Sequence, residues 1–89
     1  MWKITKDNLW EEDSSLRLEL PNRAGIQSRD FEESKATEKF RMRDGDGVIC
    51  YEGIADKKAE FDPLDDFGTP DSGCTEIQYL KENGRWETL

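Results

Sequence analysis

The stretch FRMRDGDGVICYEGI, Phe40 to Ile54, decides the fold. Apolar residues alternate with polar ones on both sides of Asp44-Gly45-Asp46-Gly47, with Phe40 and Met42 before it and Ile49 and Tyr51 after it. Period-two alternation around a short Asp/Gly turn is the pattern of a β-hairpin. With Gly45-Asp46 as a two-residue loop, Met42 pairs with Ile49 and Phe40 with Tyr51; with Asp46-Gly47, Met42 pairs with Tyr51. Either register puts the four apolar side chains on one face, and only a shift by one residue would expose them. The other face carries Arg41, Arg43, Val48, Cys50 and Glu52, polar enough to meet water or a short covering segment.

Toward the N-terminus, Trp2 and Ile4 alternate with Lys3 and Thr5, which predicts a first strand packed on the hairpin. Asp7-Asn8 reads as a turn, and Leu9 and Trp10 as a loop anchor capping one end of the core. Leu16, Leu18 and Leu20 predict another strand, stopped by Pro21, which has no N–H for a ladder. Asp30 followed by Glu33 resembles a capping box, so a short helix through Thr37 or an ordered loop is expected there, with Phe31 and Ala36 as its apolar side.

Toward the C-terminus, residues 55–73 hold two prolines, two glycines and six acids. This punctuation predicts a compact Ω-loop, with Phe61, Leu64 and Phe67 tucked under it and the aspartates pointing out. Asn83-Gly84 between Ile77, Tyr79 and Trp86, Thr88 signals a second hairpin. A two-residue Asn-Gly loop sets Glu82 against Arg85, Lys81 against Trp86 and Tyr79 against Thr88, with Ile77, Tyr79 and Trp86 on one face. The fold class expected is mainly β, with α+β as the alternative. It is an antiparallel sheet of four to six strands built from two hairpins with at most one short helix, in a single small domain over residues 1–89.

A chain of 89 residues has room for one modest core and not for a deep cleft within its own walls. Charged residues make up 38% of it, against about 25% in an average domain. No apolar run approaches the roughly 18 to 20 residues needed to cross a bilayer, and Met-Trp-Lys-Ile-Thr-Lys lacks the apolar core of a signal peptide, so a soluble, cytoplasmic protein is expected. Cys50 and Cys74 form no CxxC and there is no histidine, so two free, partly buried thiols are expected rather than a zinc or redox site.

The net charge of −8 is unevenly placed: residues 1–43 hold nine Lys/Arg and nine Asp/Glu, residues 44–89 four and twelve. A field of that sign repels phosphate backbones and acidic membranes and attracts basic protein surfaces. The expected partner is therefore a basic protein surface, such as the groove of a nucleic-acid-binding protein, with no direct nucleic-acid or membrane contact.

DGDG invites a calcium reading, which the spacing does not support. From Asp44, Val48, Ile49 and Ala55 fall where an EF-hand loop needs an oxygen ligand, a glycine and a glutamate; from Asp65, Phe67, Thr69 and Pro70 interrupt it. An irregular oxygen site of Asp62, Asp65, Asp66 and Asp71, binding a divalent cation weakly, is the remaining metal alternative; no cofactor is expected. Without histidine, a glycine-rich phosphate loop or an activated cysteine, nothing points to an enzyme. The acids themselves remain. Turn chemistry and solubility explain many of them. The sharper expectation is that Asp62, Asp65, Asp66 and Asp71 imitate a row of phosphates and occupy a basic site, with Phe67 as the apolar anchor. The alternative is an accessory or structural module that pairs through a sheet edge or the Trp86 face.

The pattern D-x-D-G-x-x-x-Y-E-G over Asp44–Gly53, then F-x-P-L-D-D-F-G-x-P-x-x-G-C-T-x-I-x-Y over Phe61–Tyr79 and G-x-W at Gly84–Trp86, covers about half the chain. On these motifs the chain resembles a group of small bacterial and mobile-element proteins. The resemblance implies a stand-alone cytoplasmic protein and no particular activity. Ile49-Cys50 departs from the more ordinary β pair expected there. Small acidic phage and plasmid proteins that block host nucleases are similar in size and charge alone, which is analogy.

Overall fold

Five strands form one antiparallel sheet in the computed structural model, which describes residues 1–12 and 21–89. They are β1 (Trp2–Asp7), β2 (Glu38–Arg43), β3 (Ile49–Ala55), β4 (Glu76–Leu80) and β5 (Trp86–Thr88), ordered β1-β3-β2-β4-β5 across the sheet. The mainly β antiparallel architecture expected from the alternation is present. The strand expected at Leu16–Leu20 lies outside the described residues.

The central hairpin is β2 with β3, and Met42 pairs with Tyr51. It reaches that register by a different route from either two-residue loop. The Asp44 N–H donates to the Val48 carbonyl and the Gly47 N–H to the Asp44 carbonyl, leaving Gly45, Asp46 and Gly47 as a three-residue loop. Gly47 takes the left-handed conformation (φ 81°) that such a loop requires at its last residue. The Asp44 carboxylate accepts from the Asp46 and Val48 N–H groups and fixes the turn. Arg43 then faces Ile49, and the extra residue, Cys50, is absorbed as a β-bulge. The bulge corrects the expected faces: Cys50 is buried with Tyr51, while Ile49 is only half-buried.

The second hairpin closes in the same way. The Lys81 N–H donates to the Arg85 carbonyl, the Gly84 N–H to the Lys81 carbonyl, and Gly84 has φ 80°. The loop is thus Glu82-Asn83-Gly84, one residue longer than Asn-Gly alone, and the register moves by one. Trp86 faces Leu80 and Glu87 faces Tyr79. Trp86 therefore stands on the face opposite Ile77 and Tyr79, where the Arg41 guanidinium lies 4.3 Å from its ring centroid in place of the expected Lys81.

One face of the sheet carries the core: Trp2 and Ile4 of β1, Phe40 and Met42 of β2, Tyr51 and Ala55 of β3, Ile77 and Tyr79 of β4. Gly53 is where the core is tightest. A Cβ there would lie 2.3 Å from both the Lys3 carbonyl oxygen and the Phe40 ring, so only glycine lets that ring cross β3.

The cover over this face is residues 56–75, and it corrects the expected Ω-loop. Residues 62–72 are helical: a π-helical turn over Leu64–Gly68 runs into helix α2 (Thr69–Ser72), the short helix α1 (Asn8–Glu12) having followed β1. Pro63 with φ −60° suits a first helical turn, and Pro70, lacking an N–H, ends the regular ladder where the π turn shifts it. Pro63, Leu64, Phe67 and Gly68 face inward; Phe61, expected beneath the loop, is 44% exposed. Gly68 lies so close to Met42 that a Cβ would meet its sulfur at 2.5 Å.

Over the segment expected as helix or ordered loop, the chain makes only a 3-10 turn, Glu33–Lys35. The Asp30 carboxylate that would cap a helix instead accepts from the N-terminal ammonium at 2.8 Å. Residues 25–28 lie along the outer edge of β1, with Ile4 N–H to Ile26 carbonyl and Ser28 N–H to Trp2 carbonyl, so that edge is paired.

Gly53→Ala is expected to lower stability by about 1–3 kcal/mol, the cost of overpacking a filled core. Gly45→Ala, which meets nothing within 4 Å, should stay within about 0.5 kcal/mol of the parent. Urea midpoints of the two variants check the contrast.

Candidate interaction surface

The helical cover decides where the predicted site residues stand. Pro63, Leu64 and Phe67 turn inward, so Asp62, Asp65 and Asp66 are left on the outer side, exposed. Glu60 joins them, held by the φ of 46° at its own backbone and by the Tyr79 hydroxyl, which donates to its carbonyl at 2.7 Å. Among the described residues none of these four carboxylates is in an ion pair. Asp62 registers the crowding: its carboxyl is pushed above the usual carboxylate range, first by partial desolvation and then by Asp66, Asp65, Glu60 and Asp30.

Phe67 and Asp71 do not belong to this array. Phe67 is 9% exposed, its ring edge-on to Tyr51 at 4.9 Å and tilted to Trp2 at 5.9 Å, so it is a core residue and not an exposed anchor. Asp71 is engaged: its carboxylate accepts from the Tyr51 hydroxyl, which also meets the Ser72 hydroxyl, and lies 3.5 Å from Arg23 Nη2. The same Arg23 reaches the fully buried Asp7 at 3.7 Å. Asp7 also accepts from the Trp10 and Arg23 backbone N–H groups, holding α1 and the 21–25 segment to the end of β1. Asp7 reads as a turn residue in the sequence, and nothing near it in the chain announces the distant Arg23.

The two thiols are free and buried. The Cys50 thiol donates to the Val48 carbonyl at 3.5 Å, and burial raises both pKa values, Cys74 to about 12. Such thiols are poor nucleophiles at neutral pH. No group of three or more Asp, Glu or Cys among the described residues is arranged to hold a metal ion. No helix among them is long and apolar enough to cross a membrane.

Glu60 and Phe61 were missing from the predicted set. The signal that could have placed them is the i, i+4 spacing of Phe61 and Asp65, which shares one helical side once Pro63 is read as a helix start.

No family model, curated protein or solved structure matches the chain. The fold and the surface therefore define only a class, a small antiparallel-sheet protein with an acidic helical cover.

Asp62→Asn should stabilise the protein at neutral pH, because a raised carboxyl pKa means that the folded state disfavours the charge; the gain should vanish as pH falls through that pKa. Carboxyl NMR titration should show the Asp62 pKa falling in Asp65→Asn/Asp66→Asn. Tyr51→Phe keeps the ring contacts and removes only the hydroxyl, and urea unfolding should show a loss of about 1.5–3 kcal/mol, the range for a hydrogen bond to a charged group.

Proposed function

We propose that this chain is a non-enzymatic, acidic protein-binding module that places its Glu60–Asp66 turn in the basic site of a nucleic-acid-handling protein, as an inhibitor of the DNA-mimic kind. The observation that carries the reading is the unpaired state of Glu60, Asp62, Asp65 and Asp66 on a turn whose inner side is locked into the core. Carboxylates held in fixed positions lose little conformational entropy on docking. Crowding without counter-ions also makes them gain from a cationic partner, since the repulsion felt at Asp62 is relieved there. Asp71, engaged by Arg23 and the Tyr51 hydroxyl, supports the turn rather than the contact. Small acidic phage and plasmid proteins that block host nucleases share its size and charge, which is analogy.

Capture from extracts of the source cell should recover a nucleic-acid-binding protein. Its affinity should fall steeply with added salt and by roughly tenfold in Asp65→Asn/Asp66→Asn, the loss of two near-surface charge contacts. Binding that ignores salt and survives that variant would remove the reading.

A further inference from the structure

The sheet's second face has the opposite character from the cover. Across it the register sets Lys3 beside Ile54 and Ile54 beside Lys39, and sets Leu80 beside Trp86. Because Phe40 faces Tyr79, the neighbouring Lys39 and Leu80 also adjoin, completing one row of alternating cations and apolar side chains. A groove of about 310 Å³ runs between Lys39, Glu52, Ile54, Leu80 and Trp86. Among the described residues of the face five cations, Lys3, Lys6, Lys39, Arg41 and Arg43, stand against Glu52 and Glu76, and Glu76 is already paired with Arg43. Among the described residues Lys3, Lys6, Lys39 and Arg41 are in no ion pair. A chain with net charge −8 thus has one locally positive face, and at physiological salt, with a Debye length of about 8 Å, the acids of the far layer are screened from it.

The chain also carries a surface that matches this groove. Phe61 is 44% exposed, the one aromatic side chain so exposed among the described residues. The Asp65 N–H donates to its carbonyl at 2.9 Å, so Phe61 and Asp65 stand one helical turn apart, and Glu60 and Asp62 flank the ring. An apolar knob flanked by unpaired carboxylates complements an apolar groove that holds Lys39 beside Glu52 and is adjoined by Lys3, next to Ile54, and Arg41, over Trp86. The two surfaces lie on opposite layers of the molecule, so one copy cannot join its own.

We infer that the Phe61 turn of one copy docks in the Ile54–Leu80–Trp86 groove of a second copy, with Glu60, Asp62 and Asp65 meeting Lys39 and its neighbours, so that copies join head to tail. This inference rests on the reading of the acidic turn as an interaction surface and names a partner for it. The contact is heterologous and leaves one live surface at each end, which makes an open chain of copies rather than a closed dimer. A nucleic-acid strand fits the groove less well: among the described lining residues Phe40 is buried and Trp86 already carries Arg41 over its ring, so neither gives a free stacking platform.

The test uses two folded variants, confirmed by unchanged thermal unfolding: Lys6→Glu/Lys39→Glu on the sheet, and Phe61→Ser/Asp65→Lys on the cover. In sedimentation at physiological salt and up to millimolar concentration, the wild type should grow past dimer, and each variant alone should remain monomeric. An equimolar mixture should form a one-to-one complex and stop there, because only one complementary pair of surfaces is left. A monomeric wild type, a variant that still self-associates, or a mixture that forms no complex would each overturn the inference. An acidic peptide or an oligonucleotide that binds the sheet face of a monomeric wild type would name a different occupant and overturn it too. The functional reading fails separately: Lys6→Glu/Lys39→Glu, whose acidic turn is intact, must still capture the basic partner protein.

Discussion

Tyr51 is where the sheet and its cover become one body. Its side chain is fully buried, its ring meets Phe67 edge-on, and its hydroxyl donates to Asp71 and meets Ser72 at the far end of the helical run. Desolvation, together with the neighbouring carboxylate, holds the phenol well above its usual pKa, so the donor is present at every physiological pH. Because the bulge at Cys50 sets Tyr51 opposite Met42, this anchor depends on the turn chemistry of Asp44 and Gly47 in the neighbouring loop. The hairpin therefore positions the cover, and the cover positions the acids.

The distribution of charge follows from that layering. Antiparallel strands with one buried face leave the other to polar side chains, and here β1 and β2 supply lysine and arginine at those positions. The cover, with Pro63, Leu64 and Phe67 turned to the core, leaves aspartate, glutamate and Phe61 outward. A formal charge of −8 is thus a sum over two faces of opposite sign, and the sum conceals both. Asp7 and Asp71 contribute to the total while sharing Arg23 between them, which shows how poorly a count of acids predicts a surface.

Much of the fold was legible because alternation at Phe40, Met42 and Tyr51, and at Trp2 and Ile4, is a period-two signal that burial enforces. The turns were legible as turns but not as to length. Asp-Gly and Asn-Gly fit both two-residue loops and three-residue loops ending in a left-handed glycine, and the choice shifts register by one. That single residue sent Trp86 to the outer face. The cover was misread because Pro63 and Pro70 look like breakers, although proline is at home in a first helical turn. Once the segment is helical, Leu64 and Phe67 fall on one side and Asp62, Asp65 and Asp66 on the other. The outward aspartates and the inward Leu64 and Phe67 agree with the expected cover, whereas Phe67 as an exposed anchor and Phe61 as a buried residue do not. The Asp7–Arg23–Asp71 chain of contacts joins residues far apart in sequence and left no local trace.

A preset array of carboxylates requires an acidic turn that is rigid on the scale of the whole molecule. Native-state hydrogen exchange of the amides within Leu64–Gly68 measures this directly, because local openings exchange at a lower free energy than global unfolding. The structure predicts that the most protected amides of this turn exchange only with those of β2 and β3, in the same cooperative unit. Exchange of the turn through a separate low-energy opening, while the strands stay protected, would contradict it and leave the carboxylates without a fixed arrangement.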